Sequence, residues 1–268
     1  MYIVSFTTFT KRFKFVPTMI KSLLAQTFKD FRIVMTLYKD DVPNLNSELK
    51  QFIDDGTIEL LVADENLKPN LKYYYCMLKY HDMPIITVDD DRIYSPNLIE
   101  TLVNTYEHLD RKAVVSHNCC HMHFDRATRI TRYSDWNVPL SRTTSKQLSY
   151  LLFTEGFEGK LYPPNAFAEL ENYKDMIIKP ALCEDDVATK ALELINKLPV
   201  CSTDIVKYPY SDIYNEDILS KDIVGTGESS LATNEATGLN YRNEIIFKFN
   251  AILRNALFLE GTLINIKN

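Results

Sequence analysis

Two groups of adjacent carboxylates are the residues best able to do chemistry in this chain of 268 residues. The first group, Asp89-Asp90-Asp91, directly follows the apolar run PIITV at residues 84–88. Three neighbouring acids repel one another, so a fold rarely places them together without a cation. Mg²⁺ and Mn²⁺ take oxygen ligands, and Mg²⁺ sites commonly combine one or two carboxylates with substrate phosphates. The first group therefore predicts a divalent-cation site that also binds a phosphorylated ligand.

The spacing within the first group favours Asp89 and Asp91 as the metal ligands. In an extended backbone their side chains point to the same side, and Asp90 points to the other. A solvated acidic turn before a helix N-terminus is the alternative, because carboxylates are favourable there too.

The second group, Glu184-Asp185-Asp186, opens a stretch with helical periodicity at residues 185–198. Carboxylates in the first turn of a helix are stabilised by the helix dipole, which is a sufficient structural reason for the motif. A positioned carboxylate can also serve as a general base, with a gain of about 10²–10⁴-fold. Residue types alone leave both interpretations open.

The elements that would position these groups follow from hydrophobic periodicity. Strands are predicted at residues 2–6, 32–37, 58–63, 84–88 and 113–116, and helices at residues 16–28, 46–53, 71–80, 185–198 and 245–259. Alternating strands and helices predict a Rossmann-like, mostly parallel sheet with helices on both faces. Residues 124–180, which include the turn-rich stretch TEGFEGKLYPP, and residues 211–240 lack clear periods and are predicted to be loop-like.

Ligands of such sheets bind beyond the carboxyl ends of the strands. Acidic or hydroxyl residues follow four of the predicted strands, namely Thr7-Thr8, Asp40-Asp41, Asp64-Glu65 and the first carboxylate group. We therefore expect these residues to line one edge of the sheet.

Five segments, taken together and in this order, resemble bacterial glycosyltransferases of the GT-A fold that build capsular or lipopolysaccharide sugars. They are VSFTTFTKR (4–12), SLLAQTF (22–28), IITVDDDRIY (85–94), GFEGKLYPP (156–164) and CEDDVATKAL (183–192). The resemblance implies an α/β fold of GT-A type with a C-terminal helical and loop extension. It also implies a metal-dependent, hexosyltransferase-like enzyme that transfers a sugar from a nucleotide diphosphate-sugar, which we expect to be a UDP-sugar, to a glycan or glycolipid acceptor in surface polysaccharide synthesis.

The resemblance also implies roles for matching residues. In its DxD motif, Asp91 ligates Mn²⁺ or Mg²⁺, and Asp89 reaches the metal or the ribose. The residues that would contact the nucleotide or its diphosphate are Thr7, Thr8, Arg12, Asp40, Asp64, Lys72, Asp89 and Asp90. The second group matches the Glu-Asp motif of inverting members, in which a carboxylate deprotonates the acceptor hydroxyl. On this basis Asp185 is the expected base, Asp186 is its close rival, and Glu184 completes the catalytic motif.

The same resemblance divides the chain into three parts. Residues 1–123 would form the nucleotide-sugar-binding half, and residues 124–210 the acceptor-binding and catalytic-base half of the same domain. Residues 211–268 would form a C-terminal loop and an amphipathic helix, which we expect to cover the core; contact with a membrane or another subunit is the alternative.

Composition narrows the function classes and the location. The net charge is −6, and no dense run of Lys or Arg is present, so a nucleic-acid partner is not expected. The opening residues predict a strand rather than a signal peptide, and no apolar run approaches the roughly 18 residues that span a bilayer. Five cysteines without a CxxC pair fit a reducing compartment. We therefore expect a cytoplasmic protein, with association at the inner face of the membrane left open.

Three alternatives remain. A metal-dependent nucleotidyltransferase also uses aspartates on a similar sheet, but such enzymes usually carry a glycine-rich basic loop, and residues 7–12 contain no glycine. A non-catalytic module that binds a divalent cation or carbohydrate would account for the first carboxylate group but not the second. Paired acids also occur in glycosidases.

Overall fold

The computed structural model describes residues 1–136, 148–203, 210–212 and 238–267. The strands are β1 (Tyr2–Thr7), β2 (Phe31–Tyr38), β3 (Ile58–Ala63), β4 (Ile85–Thr87), β5 (Arg92–Tyr94), β6 (Val114–Ser116), β7 (Cys119–His121), β8 (Leu152–Thr154), β9 (Lys160–Tyr162), β10 (Val200–Ser202) and β11 (Tyr210–Asp212). The α-helices are α1 (Val16–Leu24), α2 (Ser47–Asp54), α3 (Tyr74–Lys79), α4 (Leu98–His108), α5 (Asp185–Ile195), α6 (Gly238–Lys248), α7 (Asn250–Leu253) and α8 (Asn255–Lys267). Short 3-10 turns lie at Thr10–Arg12, Val42–Asn44, Lys68–Lys72, Tyr133–Asp135, Gly156–Glu158 and Leu170–Tyr173, and a π-helical turn lies at Lys174–Ile178.

A sheet of seven strands in the order β10-β6-β9-β4-β1-β2-β3 forms the centre of the fold. Strand β1 pairs in parallel with β2 and β4, β2 pairs in parallel with β3, and β6 pairs in parallel with β10. Strand β9 runs antiparallel between β4 and β6. The predicted mostly parallel sheet is therefore confirmed, and a single reversed strand joins its two parallel parts.

Apolar side chains pack against both faces of this sheet. One buried cluster contains residues from α1, α2 and α4, such as Met19, Leu49 and Leu102. The other contains residues from α3, α5 and α7, such as Cys76, Leu192 and Leu253. Removing such surface from water is the main favourable contribution to folding, and it fixes each helix over one face. The predicted cover of helices on both faces is confirmed.

The C-terminal helices belong to the core. Ile245, Phe249 and Leu253 are buried in the same cluster as α5, so the expected covering role is confirmed. The helix predicted at 245–259 begins earlier, at Gly238, and is divided into α6, α7 and α8. In the part of the chain that the structure describes, no helix is both long and apolar enough to cross a membrane.

The middle of the chain holds more regular structure than its periodicity predicts. Strands β8 and β9 both lie in the region expected to be loop-like, and β9 occupies the centre of the sheet. Strand β11 pairs with β5 and begins at the edge of the second predicted loop. The rest of that predicted loop, residues 213–237, lies outside the described residues.

Candidate functional site

The two carboxylate groups meet at one edge of the sheet. The first group follows β4 at its carboxyl end, and the second lies at the first turn of α5. Strand β9 runs in the opposite direction to β4, with Lys160 opposite Thr87, so the loop that enters β9 reaches the same edge. This edge is the one at which ligands bind in open α/β sheets.

Lys72 joins the two groups. Its ammonium nitrogen lies 2.7 Å from Asp89 Oδ1 and 2.7 Å from Asp185 Oδ2, and its side chain is 6% exposed. The 3-10 turn that ends at Lys72 is tied to the sheet, because the Ser5 hydroxyl of β1 donates to the Lys72 carbonyl at 2.6 Å. Burial alone would lower the pKa of Lys72, but Asp185 and Asp89 outweigh it and hold that pKa well above its usual value. Lys72 is therefore a permanent positive charge between the two motifs.

The first group is not extended as predicted. Strand β4 ends at Thr87, and Asp90 and Asp91 form a turn that leads into β5. The Tyr94 hydroxyl accepts a hydrogen bond from the Asp89 backbone N–H at 2.8 Å and lies 3.2 Å from the Asp89 carbonyl oxygen, so it closes the turn. The alternation argument that paired Asp89 with Asp91 is therefore wrong, because it requires a strand conformation at these residues.

Arg12 neutralises the other two members of the first group. It is at the end of a 3-10 turn just after β1, donates to Asp90 through Nη1, and lies 3.4 Å from Asp91 Oδ2. Asp89 is held instead by Lys72, which lowers its pKa although burial acts to raise it. The sequence placed Arg12 and Asp90 together at the sheet edge, but it did not predict this direct contact.

The first group offers a divalent cation part of its ligand set. Among the described residues, no three His, Cys, Asp or Glu side chains converge to form a complete metal site. However, Asp90 Oδ2 and Asp91 Oδ1 are buried and accept no hydrogen bond from the described residues, although Arg92 Nε lies 3.5 Å from Asp91 Oδ1. Burial, together with the neighbouring carboxylates, raises the pKa of Asp91 to about 6. Two adjacent, unsatisfied carboxylate oxygens suit a cation that takes its remaining ligands from a phosphate and water.

The second group is held by partners distant in sequence. Asp186 Oδ1 accepts the backbone N–H of Gly156 at 2.9 Å. Glu184, which is 2% exposed, accepts from Arg242 Nε at 2.8 Å. Burial raises the pKa of Glu184 to about 7 against the opposing effect of Arg242, and burial with Asp185 raises that of Asp186 to about 7. Glu184 and Asp186 therefore hold a proton at higher pH than ordinary carboxyl groups do.

Arg242 and Glu155 are site residues that sequence reasoning missed. Arg242 Nη1 lies 3.2 Å from Glu155 Oε1, and its guanidinium stacks at 4.7 Å over the ring of Tyr133, whose hydroxyl also donates to Glu155. A lone arginine between the loop predicted at residues 211–240 and the helix predicted at residues 245–259 gives no local sign of this role. The sequence singled out Gly156 only as part of a turn.

The remaining predicted residues lie along the same edge at varying distances from Lys72. Thr7 Oγ1 donates to the Thr36 carbonyl at 2.8 Å, and Thr8 Oγ1 is buried without a hydrogen-bond partner among the described residues. Asp40 is exposed and accepts from the Tyr38 hydroxyl, which raises the pKa of that tyrosine. Asp64 is exposed just beyond β3. Their roles in binding a nucleotide stay predictions.

Comparisons with known proteins agree on the fold. No protein-family model matches the chain, and no curated protein matches it. The crystal structure of S. aureus TarS residues 1–349 in complex with UDP-GlcNAc is similar, with a TM-score of 0.51, 15% identity, and coverage of 92% of this chain and 71% of that one. The 4-diphosphocytidyl-2C-methyl-D-erythritol synthase from Anaerococcus prevotii is similar with a TM-score of 0.50, 16% identity, and coverage of 85% and 96%. The predicted α/β fold of GT-A type is confirmed by these likenesses and by the sheet itself.

Proposed function

We propose that this chain is a metal-dependent glycosyltransferase that transfers a sugar from a nucleotide diphosphate-sugar, a UDP-sugar, to a saccharide or lipid-linked acceptor in surface polysaccharide synthesis. The reaction inverts the anomeric centre. The observation that carries the proposal is the position of Lys72, at 2.7 Å from a carboxylate of each acidic group. One buried cation thereby links the proposed diphosphate site to the proposed base.

Donor binding follows from the charges at the sheet edge. The buried Lys72 and the partly buried Arg12 are cations that face the first group. Diphosphate oxygens are recognised by such donors because a charged hydrogen bond is about twice as strong as a neutral one. Thr7 ends β1, and Thr8, Asp40 and Asp64 follow β1, β2 and β3, where the nucleoside would extend. The TarS structure with UDP-GlcNAc supports this choice of donor through the shared fold.

The transfer step uses Asp185 as the general base. Its carboxylate takes the proton of the acceptor hydroxyl while that oxygen bonds to the anomeric carbon. The bond from the anomeric carbon to the diphosphate oxygen breaks, and its electron pair leaves with the nucleoside diphosphate. Lys72, whose Nζ lies 2.7 Å from Asp185 Oδ2, stabilises the charge that develops on the leaving group. Asp186 is the second candidate, because a pKa of about 7 suits a base that works near neutral pH.

Mn²⁺ or Mg²⁺ would be held by Asp91, with Asp89 and Asp90 beside it. In the described part of the chain, Asp90 Oδ2 and Asp91 Oδ1 accept no hydrogen bond, Arg92 Nε lies 3.5 Å from Asp91 Oδ1, and Lys72 holds only one oxygen of Asp89. When bound, the cation would supply positive charge to the diphosphate.

The first experiment measures thermal stabilisation of the protein by UDP, with and without Mn²⁺. We expect stabilisation that needs both, because a ligand that binds only the folded state raises its stability. Slow release of UDP from UDP-GlcNAc would then mark a transferase donor site, whereas release of pyrophosphate from a nucleoside triphosphate would mark a nucleotidyltransferase. Absence of any nucleotide-dependent shift would refute the proposal.

The second experiment separates the two acidic groups. Asp91→Asn should abolish the effect of Mn²⁺ on UDP binding. Asp185→Asn should lower turnover by about 10²–10⁴-fold and leave UDP binding unchanged, since a general base acts on the acceptor. Asp175→Asn, which changes an exposed carboxylate paired with Lys179, is the matched control and should change neither quantity.

A further inference from the structure

Arg242 connects the C-terminal helices to the acidic turn of α5. Its side chain is 12% exposed and lies 2.8 Å from Glu184, 3.2 Å from Glu155 and 3.8 Å from Asp186. The guanidinium group stacks on the ring of Tyr133, which fixes the plane of its N–H donors. Arginine presents several donors in a rigid plane, so one side chain can orient several carboxylates at once.

The contacts of Arg242 complement those of Lys72. Lys72 binds Asp185 from the side of the first group, whereas Arg242 binds the residues on either side of Asp185. Asp186 is further held by the Gly156 N–H. The backbone of this turn is thus attached on two sides, and the direction in which Asp185 points depends on both cations.

We infer that Arg242 is a positioning residue for the transfer reaction: by holding Glu184 and Asp186 it orients the first turn of α5 so that Asp185 faces Lys72. The inference rests on the proposed function for its catalytic consequence. Arg242 touches the flanking carboxylates and acts through them.

The charge balance around these carboxylates gives the inference a measurable signature. The charged groups that face Glu184 and Asp186 are Arg242, Glu155, Asp185, Lys72 and Lys160. With Glu184 and Asp186 themselves, the cluster contains four carboxyl groups and three cations, and removing Arg242 leaves four carboxyl groups with two cations, which favours protonation. An opposite charge at such distances lowers a carboxyl pKa by about 1–3 units, and its loss should raise the pKa by a similar amount.

The test compares four variants in UDP release from UDP-GlcNAc as a function of pH. Arg242→Gln should lower kcat by about tenfold to a hundredfold through misplacement of the base. The acidic limb of the pH profile, where kcat falls as the pH is lowered, should shift to higher pH by about 1 unit or more. UDP affinity should stay within about twofold. Arg242→Lys should leave the acidic limb at its original pH but reduce kcat, because lysine keeps the positive charge and lacks the planar set of N–H donors.

The double variant Arg242→Gln with Glu184→Gln should return the limb toward its original pH, since it removes one cation together with one carboxyl group. Arg254→Gln, which changes an exposed arginine between α7 and α8, should behave as the unaltered protein. An unchanged kcat in Arg242→Gln would overturn the inference. So would a kcat that falls by the same factor at every pH and is not restored in the double variant.

A second measurement does not require activity. Glu184 and Asp186 have folded-state pKa values above their ordinary ones, so their contribution to stability is present at low pH and is lost as pH rises through about 7. In Arg242→Gln, the decrease in the free energy of unfolding, measured in urea, should continue to higher pH. If the unaltered protein neither binds nor turns over nucleotide, the proposed function fails, whereas an unmoved stability profile in Arg242→Gln refutes the role of Arg242.

Discussion

The two acidic groups of the site are held in different ways. The first, Asp89 to Asp91, is neutralised by cations at the edge of the parallel sheet: Lys72 lies 17 residues before Asp89, and Arg12, which follows β1, lies 78 residues before Asp90. The second, Glu184 to Asp186, depends on Gly156 in a loop 30 residues before Asp186 and on Arg242 in a helix 58 residues after Glu184. Residues at the sheet edge therefore hold the first group, whereas a loop and a C-terminal helix hold the second.

Under the proposed function, this contrast separates nucleotide binding from the transfer step. The first group has unsatisfied carboxylate oxygens and suits a cation and a phosphate. The second has carboxyl groups with pKa values near 7 and suits proton transfer. Variants that affect one group without the other should therefore separate nucleotide affinity from turnover, and a variant at the shared cation should affect both.

The largest effect is expected at Lys72, the cation shared by the two groups. Lys72→Met leaves Asp89 and Asp185, whose side chains are 30% and 14% exposed, without their buried partner and should lower the free energy of unfolding by about 3–5 kcal/mol. UDP affinity should fall as well. Urea unfolding at pH 7 measures the first quantity and a UDP titration of the folded fraction the second.

Two companion variants make the Lys72 result interpretable. Lys79→Met breaks an exposed pair with Glu59 and should cost no more than about 1 kcal/mol. Lys72→Arg keeps the charge and should recover part of the stability. If Lys72→Met and Lys79→Met had equal unfolding midpoints, the two groups would not depend on a shared cation.

The same contrast explains which parts of the structure the sequence predicted. Strands β1 to β4 and the residues that follow them were predicted because a local run of apolar residues is enough to indicate a buried strand. Strand β9 was not predicted, because it carries Lys160 into the core, where Glu193 of α5 neutralises it at 2.7 Å. The contact of Arg242 with Glu184 was missed for the same reason. Burial of a charged residue can be predicted only when its partner, distant in sequence, is known.

An intermediate effect is expected from the ion cluster behind the second group. Glu193 is fully buried between Lys160, at 2.7 Å, and Lys190, at 3.4 Å. Glu193→Gln leaves two buried lysines without an anion and should destabilise the fold by about 3 kcal/mol. The lowered pKa of Lys190, caused by burial, limits the cost because that lysine can lose its proton.

Lys160→Met sharpens this prediction, because it leaves the pair between Glu193 and Lys190 in place. It should destabilise the protein less than Glu193→Gln in urea unfolding. Since both changes act on α5 and β9, kcat should fall more than UDP affinity in the folded protein. A larger loss of UDP affinity than of kcat would show that the two halves of the site are not separable.

The smallest effect is expected at Gly156, where the loop before β9 contacts the second group. A Cβ atom built at this residue would lie 3.2 Å from Asp186 Oδ1 and 3.6 Å from Lys72 Nζ. The carboxylate must shift by a few tenths of an ångström, so Gly156→Ala should lower kcat by about tenfold, and should cost no more than about 1–3 kcal/mol of stability.

Gly261→Ala is the matched control: the added methyl group meets nothing within 4 Å, and alanine is favoured over glycine within α8 by about 0.5–1 kcal/mol. It should raise stability slightly and leave kcat unchanged, whereas an equal kcat in both variants would mean that the loop before β9 does not position Asp186.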